Sequence, residues 1–256
     1  MDAKLLEKIV EKKEFSKLPR KDVEMAFAKF DQPRNHDYQK LKLTRSFLRK
    51  IYSSFSSRKL LTLRDRDSNW VLKKHKSTRE RLPYYEEVYS RILKSLRKDI
   101  SVIDLGSGVN GFSYNYFKKL GFNADYIGIE AVGQLVDLTN LYFKKEKLNA
   151  VARHLSLFEL EKIQNLLKKT ERPRVVFLFK VIDSLEVLER NYSKKLISGI
   201  ASNAERMIVS FATESLGKHS KFKVNRNWII SFIEDKFKTL DDFKFGGERY
   251  IVFEKK

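Results

Sequence analysis

Along the first third of the chain, apolar positions recur at three- and four-residue intervals. Leu5-Leu6 is followed by Ile9-Val10, and Val23 by Phe27 and Phe30. Leu41, Leu43, Phe47-Leu48, Ile51-Tyr52 and Phe55 continue the series. This spacing lines one face of a helix, so residues 1–98 read as helical. Asp31-Gln-Pro-Arg-Asn-His36 interrupts the pattern, with Pro33 and Asn35 as turn residues. Ser77 and Glu80 have the spacing of a capping box, predicting a helix from there to about residue 97 with Pro83 in its first turns. From residue 99 the pattern changes. Short apolar runs at 101–105, 126–130, 150–155, 175–180, 206–211, 240–246 and 249–254 read as strands. Helical spacing fills 112–120, 133–147, 158–169, 184–204 and 225–238. Strand and helix alternate five times and end in a strand pair. That order predicts an α/β fold with a seven-stranded, mostly parallel sheet whose last strand runs antiparallel. The chain divides into an N-terminal helical domain, 1–98, and an α/β domain, 99–256.

Charge adds a partner class. The chain carries 53 Lys and Arg against 33 Asp and Glu, a net charge of +20. Residues 1–95 hold 25 basic and 13 acidic side chains, so more than half of the excess lies in little over a third of the chain. Such density is the electrostatic footprint of a phosphate backbone. A lysine-rich, solvated surface is the plainer reading, but it does not account for the local imbalance. No single basic amphipathic helix with a hydrophobic face stands out, so a membrane partner is not expected. Cysteine is absent and the four histidines, His36, His75, His154 and His219, do not pair at metal-ligand spacing, so no metal is expected. No apolar run is long enough to span a membrane, and the first residues do not have signal-peptide character, so the expectation is a soluble, cytoplasmic protein, by default a monomer.

The chemistry concentrates where the pattern first turns from strand to helix. Val102-Ile-Asp-Leu-Gly-Ser-Gly-Val-Asn-Gly111 places three glycines at G-x-G-x-x-G spacing between an apolar run and an amphipathic segment. Gly106 and Gly108 allow a sharp turn and close approach of the backbone to a ligand. The following helix then presents free N–H groups. On its own the motif allows several adenine-containing cofactors or a plain strand–helix turn. Tyr126-Ile-Gly-Ile-Glu130 ends in an acid 19 residues after Gly111, the position at which a carboxylate meets a ribose. The alternative for Glu130 is a helix N-terminal acid. Asp104 ends the first strand, and Asp-Leu-Gly-Ser-Gly resembles the first motif of class I S-adenosylmethionine (SAM) methyltransferases.

A closer resemblance follows from motifs in order along the chain. His75-Lys-Ser-Thr-Arg-Glu-Arg-Leu82, Val176-Phe-Leu-Phe-Lys180, Val209-Ser-Phe-Ala-Thr-Glu-Ser-Leu-Gly217 and Glu248-Arg-Tyr-Ile-Val-Phe253 resemble segments of the Arm/Rmt-type aminoglycoside-resistance 16S rRNA methyltransferases. The resemblance runs from about residue 75 to the C-terminal strand. It implies a Rossmann-like class I SAM methyltransferase core and transfer of a methyl group to guanine N7 at position 1405 of 16S rRNA in the assembled 30S subunit, with the basic N-terminal domain docking on the rRNA. It also implies cofactor contacts from His75, Ser77, Arg81, Asp104, Gly106, Ser107, Gly108, Asn110, Glu130, Ala131, His154, Leu155 and Phe179. Lys180, Ser210, Thr213 and Ser215 fall to the catalytic centre, and Arg79, Lys218 and Lys221 to the rRNA. After strand three the family has Gln-Asp where this chain has Arg153-His-Leu-Ser156, so His154 or Ser156 stands in the place of the acid that meets the adenine amino group. Three functions are open at this point: the guanine-1405 enzyme, a SAM enzyme for another rRNA or tRNA position, and a non-catalytic SAM- and RNA-binding protein.

Overall fold

A computed structural model describes residues 3–53, 57–213 and 226–256. Seven strands form one sheet: β1 (Asp99–Leu105), β2 (Asn123–Glu130), β3 (Ala150–His154), β4 (Arg174–Phe179), β5 (Arg206–Ala212), β6 (Phe237–Phe245) and β7 (Glu248–Lys255). Their spatial order is β3-β2-β1-β4-β5-β7-β6. β1 to β5 run parallel, and β7 pairs antiparallel with both β5 and β6. β4 is buried along its whole length, and β1 at all but its first residue. Central parallel strands covered on both faces read as continuous apolar runs rather than as alternation. The expected α/β sheet with a single antiparallel strand is therefore the one observed.

The N-terminal helices are α1 (Ala3–Val10), α2 (Arg20–Ala28), α3 (Asp37–Leu48), α4 (Ser68–Lys74), α5 (Lys76–Arg81) and α6 (Tyr85–Ile92). Around the sheet lie α7 (Asn115–Lys119), α8 (Gly133–Lys145), α9 (Leu160–Lys169), α10 (Ile182–Leu188), α11 (Tyr192–Ile200) and α12 (Asn227–Lys236). Three expectations need correction. The helix expected from Ser77 to about 97 is two helices: Pro83 lacks the N–H an uninterrupted helix needs, and a 3-10 turn at Leu82–Tyr84 separates α5 from α6. No capping box forms at Ser77, because His75 takes the N-cap position and Glu80 turns inward to Lys180. The helix expected over 184–204 breaks at Asn191, which adopts a left-handed φ of 64° while its N–H and that of Ser193 donate to the Glu186 carboxylate. α4, which the periodicity did not announce, is capped by Asp67 accepting from the Trp70 N–H.

Buried side chains from the N-terminal helices and from the sheet make one continuous core. Leu5, Ile9, Phe15, Leu18, Val23 and Phe27 belong to the same cluster as Val102, Ile129 and Phe177. The segment between α1 and α2 is fastened to the front of α8: the Gly133 N–H donates to the Lys17 carbonyl at 2.9 Å, and Gln134 reaches the Lys13 carbonyl at 2.7 Å. No helix among the described residues is long and apolar enough to cross a membrane.

Candidate functional site

The carboxyl ends of β1, β2 and β4 open into a cleft lined by residues of the glycine turn, the strand ends and the N-terminal helices. The turn after β1 forms its floor. Gly106 and Gly108 have φ of +76° and +54°, and the N–H groups of Gly106 and Ser107 both donate to the Ile129 carbonyl. A Cβ on Gly106 would lie 2.6 Å from Val181 Cγ2, and one on Gly108 3.0 Å from His75 Nε2. The backbone thus approaches the cleft as closely as glycine permits.

Asp104 lies beneath this turn, 1% exposed. Its Oδ2 accepts from Asn110 Nδ2 and from the Tyr126 hydroxyl, each at 2.7 Å. Its Oδ1 is buried on the cleft wall without a hydrogen-bond partner. Burial pushes this carboxyl above its ordinary range, against the pull of Tyr126 and Asn110. A buried acceptor left open in this way is costly unless a ligand donor completes it. Asn110 is the hub behind it, accepting from Arg81 Nη1 at 3.0 Å and from the Tyr85 hydroxyl at 2.7 Å.

Glu130 ends β2 with its carboxylate under the glycine turn. Oε2 accepts from the Gly108 N–H at 2.7 Å and Oε1 from the Val132 N–H at 2.8 Å, just ahead of α8. The carboxylate therefore serves the helix start, and its remaining lone pairs lie on the cleft. Burial raises this carboxyl too.

Beside Asn110 stands a charged cluster that reaches the cleft through Arg81 and Lys180. Arg81, 2% exposed, donates to Glu248 Oε1 at 2.6 Å and to the Tyr250 hydroxyl at 3.1 Å, and its guanidinium stacks 4.3 Å from the Phe179 ring centroid. Lys180 Nζ lies 2.6 Å from Glu80 and 3.2 Å from Glu248. Its backbone has a left-handed φ of 55°, and its N–H donates to the Ser210 carbonyl and hydroxyl. Burial alone would raise Glu248, but the Arg81 and Lys180 cations outweigh it and hold the carboxyl below its ordinary value. His75 is lowered to about 4 by burial first and then by the same two cations, so it is a neutral imidazole at neutral pH.

Of the residues expected at a site, the cleft gathers His75, Ser77, Arg81, Asp104, Gly106, Ser107, Gly108, Asn110, Glu130, Ala131, Phe179 and Lys180. Others lie elsewhere. His154 is exposed at the end of β3 and bonds the Ala131 carbonyl at 2.9 Å, and Leu155 is half-buried off the wall; Leu157 and Phe158 take that place. Ser210 is fully buried behind the wall, donating to Glu248. Thr213 also stands off the wall, its N–H on the Gly247 carbonyl, and Arg79 is exposed on α5. Ser215, Lys218 and Lys221 lie outside the described residues. The sequence reading missed Asp22, Ile51 and Tyr52, which the N-terminal helices bring to the cleft, and the pairing of Lys180 with both Glu80 and Glu248. Glu248 stood in a quoted motif; Asp22 had no local signal beyond an acid in the first turn of a helix.

The model of the family described as Ribosomal RNA methyltransferase (FmrO) matches residues 46–239. A 16S rRNA (guanine(1405)-N(7))-methyltransferase of Micromonospora rosea is 27% identical over 148 residues, 57% of this chain and 50% of that protein. One of the same name from Micromonospora echinospora is 26% identical over 185 residues, 71% of this chain and 63% of that protein. The chain thus spans about half to two-thirds of the length of these two relatives. Among solved structures, the 16S rRNA methyltransferase RmtF in complex with S-adenosyl-L-homocysteine superposes with a TM-score of 0.79 at 20% identity over 100% of both chains. The 16S rRNA methylase RmtB gives 0.75 at 19% identity, covering 99% of this chain and 98% of that one. These structures share the fold from the N-terminal helices to the last strand. With the family model matched over most of its length, the chain belongs to the FmrO family of ribosomal RNA methyltransferases.

Proposed function

We propose that the protein is a SAM-dependent methyltransferase acting on N7 of guanine 1405 of 16S rRNA in the 30S subunit, as a cytoplasmic monomer, and that this modification confers aminoglycoside resistance. The carrying observation is the unpartnered Asp104 Oδ1 on the wall of the glycine-turn cleft, joined through Asn110 to the Arg81–Glu248–Lys180 cluster. Asp104 suits the ammonium of the cofactor's amino-acid end and Arg81, with Ser77 and His75, its carboxylate. Gly106, Ser107 and Gly108 leave room for its chain, Glu130 meets the ribose, and Ala131 flanks the adenine. When bound, the cofactor supplies a sulfonium methyl that guanine N7 takes by direct displacement, leaving S-adenosylhomocysteine.

N7 carries a lone pair and no proton, so no general base is needed, and catalysis rests on in-line positioning. The site agrees with this. Glu248 is paired with two cations, and the half-buried His75 is held neutral by desolvation and by the Arg81 and Lys180 cations. The target base leaves its stack to enter the cleft. Lys180, with its stem buried, orients the incoming nucleotide, and Ser210 fixes the Lys180 backbone. Thr213 and Ser215 cover the base. Residues 1–98 dock on the rRNA, with Arg79, Lys218 and Lys221 at phosphates.

Incubation with methyl-labelled SAM and, separately, 30S subunits, free 16S rRNA and tRNA tests the proposal. Label is expected in 30S subunits, with reductive cleavage and primer extension stopping at guanine 1405. A stop at another base, or label only in tRNA, overturns the assignment. Expression in a susceptible bacterium is expected to raise resistance to gentamicin-type but not apramycin-type drugs.

A further inference from the structure

Asp22, from the N-terminal helical layer, reaches the same cleft as the glycine turn. It lies in the first turn of α2 and is 1% exposed. A helix dipole accounts for an acid in a first turn but not for its burial. Oδ1 accepts from the Ser156 hydroxyl, and Oδ2 from the Tyr52 hydroxyl at 2.6 Å. No lysine or arginine forms an ion pair with it among the described residues. Two hydroxyl donors leave each oxygen with lone-pair capacity to spare. A buried carboxylate without a cation is unfavourable as packing material alone, so a further donor is expected.

The surroundings identify that donor. Ile51, Leu135, Leu157, Phe158, Leu185 and Leu188 line the cleft with apolar side chains, among which Asp22, Tyr52 and Ser184 are polar and Asp22 is the carboxylate. Hydrogen bonds connect it to the ribose acid: the Leu155 N–H donates to the Glu130 carbonyl at 3.2 Å, and the next residue, Ser156, holds Asp22. Lys21 fixes the same loop from the helix side, donating to the Phe158 carbonyl at 2.7 Å. The loop from Leu155 to Phe158 brings no acid of its own. An apolar slot beside a ribose carboxylate, with one acceptor at its wall, suits a flat heterocycle bearing an amino group.

We infer that Asp22 accepts a hydrogen bond from the exocyclic amino group of the cofactor's adenine, with Ser156 and Tyr52 holding its carboxylate in place, so that the N-terminal helical layer completes the cofactor site. This inference rests on the cofactor assigned under the proposed function, and it gives the N-terminal helices a part in cofactor recognition separate from docking on RNA.

Calorimetric titration of the full chain with S-adenosyl-L-homocysteine and with S-inosyl-L-homocysteine tests it. The second ligand presents a carbonyl where the first has the amino group, and an N–H at the neighbouring ring N1 where the first has a lone pair. The wild type is expected to favour the adenosyl compound on the order of 30-fold or more, because the inosyl oxygen faces a carboxylate. In Asp22→Asn the carboxamide can donate to that oxygen, and the preference is expected to fall to about threefold or less. Ser156→Ala, which keeps the carboxylate but removes one of its anchors, is expected to narrow the preference several-fold and serves if Asp22→Asn does not fold. A wild-type ratio near one, or an Asp22→Asn variant that weakens both ligands equally, overturns the inference. Failure of the wild type to bind S-adenosyl-L-homocysteine at all instead overturns the cofactor reading beneath it.

Discussion

His75 ties the site to the stability of the fold. Its imidazole is lowered to about 4, by burial first and by the Arg81 and Lys180 cations after it. In the unfolded chain it titrates near 6.5. A depressed value means that its contribution is complete above about pH 6.5 and is lost as pH falls toward about 4, because the unfolded state takes up the proton first. One proton over that window amounts to about 3 kcal/mol. Glu248, also lowered, adds its own loss only as pH falls below the ordinary carboxylate range. Urea midpoints from pH 7 to 5 are therefore expected to fall in the wild type and to stay flatter in His75→Gln; parallel curves would contradict this. Single residues were legible in the sequence where their demands are local. Gly106, Gly108 and Asp104 follow from a turn that must admit a ligand. Glu80 was read as a cap because Ser77 stands at the right spacing, whereas its partner Lys180 lies 100 residues away and no local pattern announces it.

Among the elements, the glycine turn offers the sharpest test. Alanine at Gly106 meets both a left-handed φ and a Cβ contact of 2.6 Å with Val181. Gly121 has a similar φ of +73°, but its nearest atom is the flexible Lys98 Nζ at 3.8 Å. Both substitutions are expected to cost roughly 1–2 kcal/mol of stability for the backbone alone. Only Gly106→Ala is expected to weaken S-adenosyl-L-homocysteine binding as well, on the order of 100-fold, since relief of the Val181 clash moves the cleft floor. Equal binding by the two variants, measured by calorimetry, would show that the turn does not approach the cofactor. The strands were legible because a parallel strand buried on both faces is a continuous apolar run, as in β4. The breaks at Leu82–Tyr84 and Asn191 were not, since helical spacing of apolar residues continues across them while a proline and a left-handed asparagine redirect the backbone.

Across the whole molecule, the excess of positive charge and the continuous core make separate demands on the N-terminal helices. A chain of net charge +20 that contacts about six phosphates is expected to lose on the order of 1,000-fold in RNA affinity between 50 and 200 mM salt, read as a linear fall of log K with log salt. A salt-independent affinity would remove the electrostatic basis for docking. The core demands more. Leu5, Ile9, Phe15, Leu18, Val23 and Phe27 are buried in the cluster that also contains the strands, and each side chain contributes roughly 1.5–3 kcal/mol by burial. Their sum is comparable with the roughly 5–15 kcal/mol stability of a whole domain. The charge excess over residues 1–95 pointed to a nucleic-acid partner for the helical domain, and the division at residue 98 followed from where strand–helix alternation begins. Burial ties residues 3–28 into the core shared with the strands, and Asp22 carries that segment to the cleft wall. Deletion of residues 1–36 is thus expected to abolish S-adenosyl-L-homocysteine binding and cooperative unfolding together. If those helices served the RNA alone, the truncated protein would bind the nucleoside with wild-type affinity and lose only its salt-dependent attachment to rRNA.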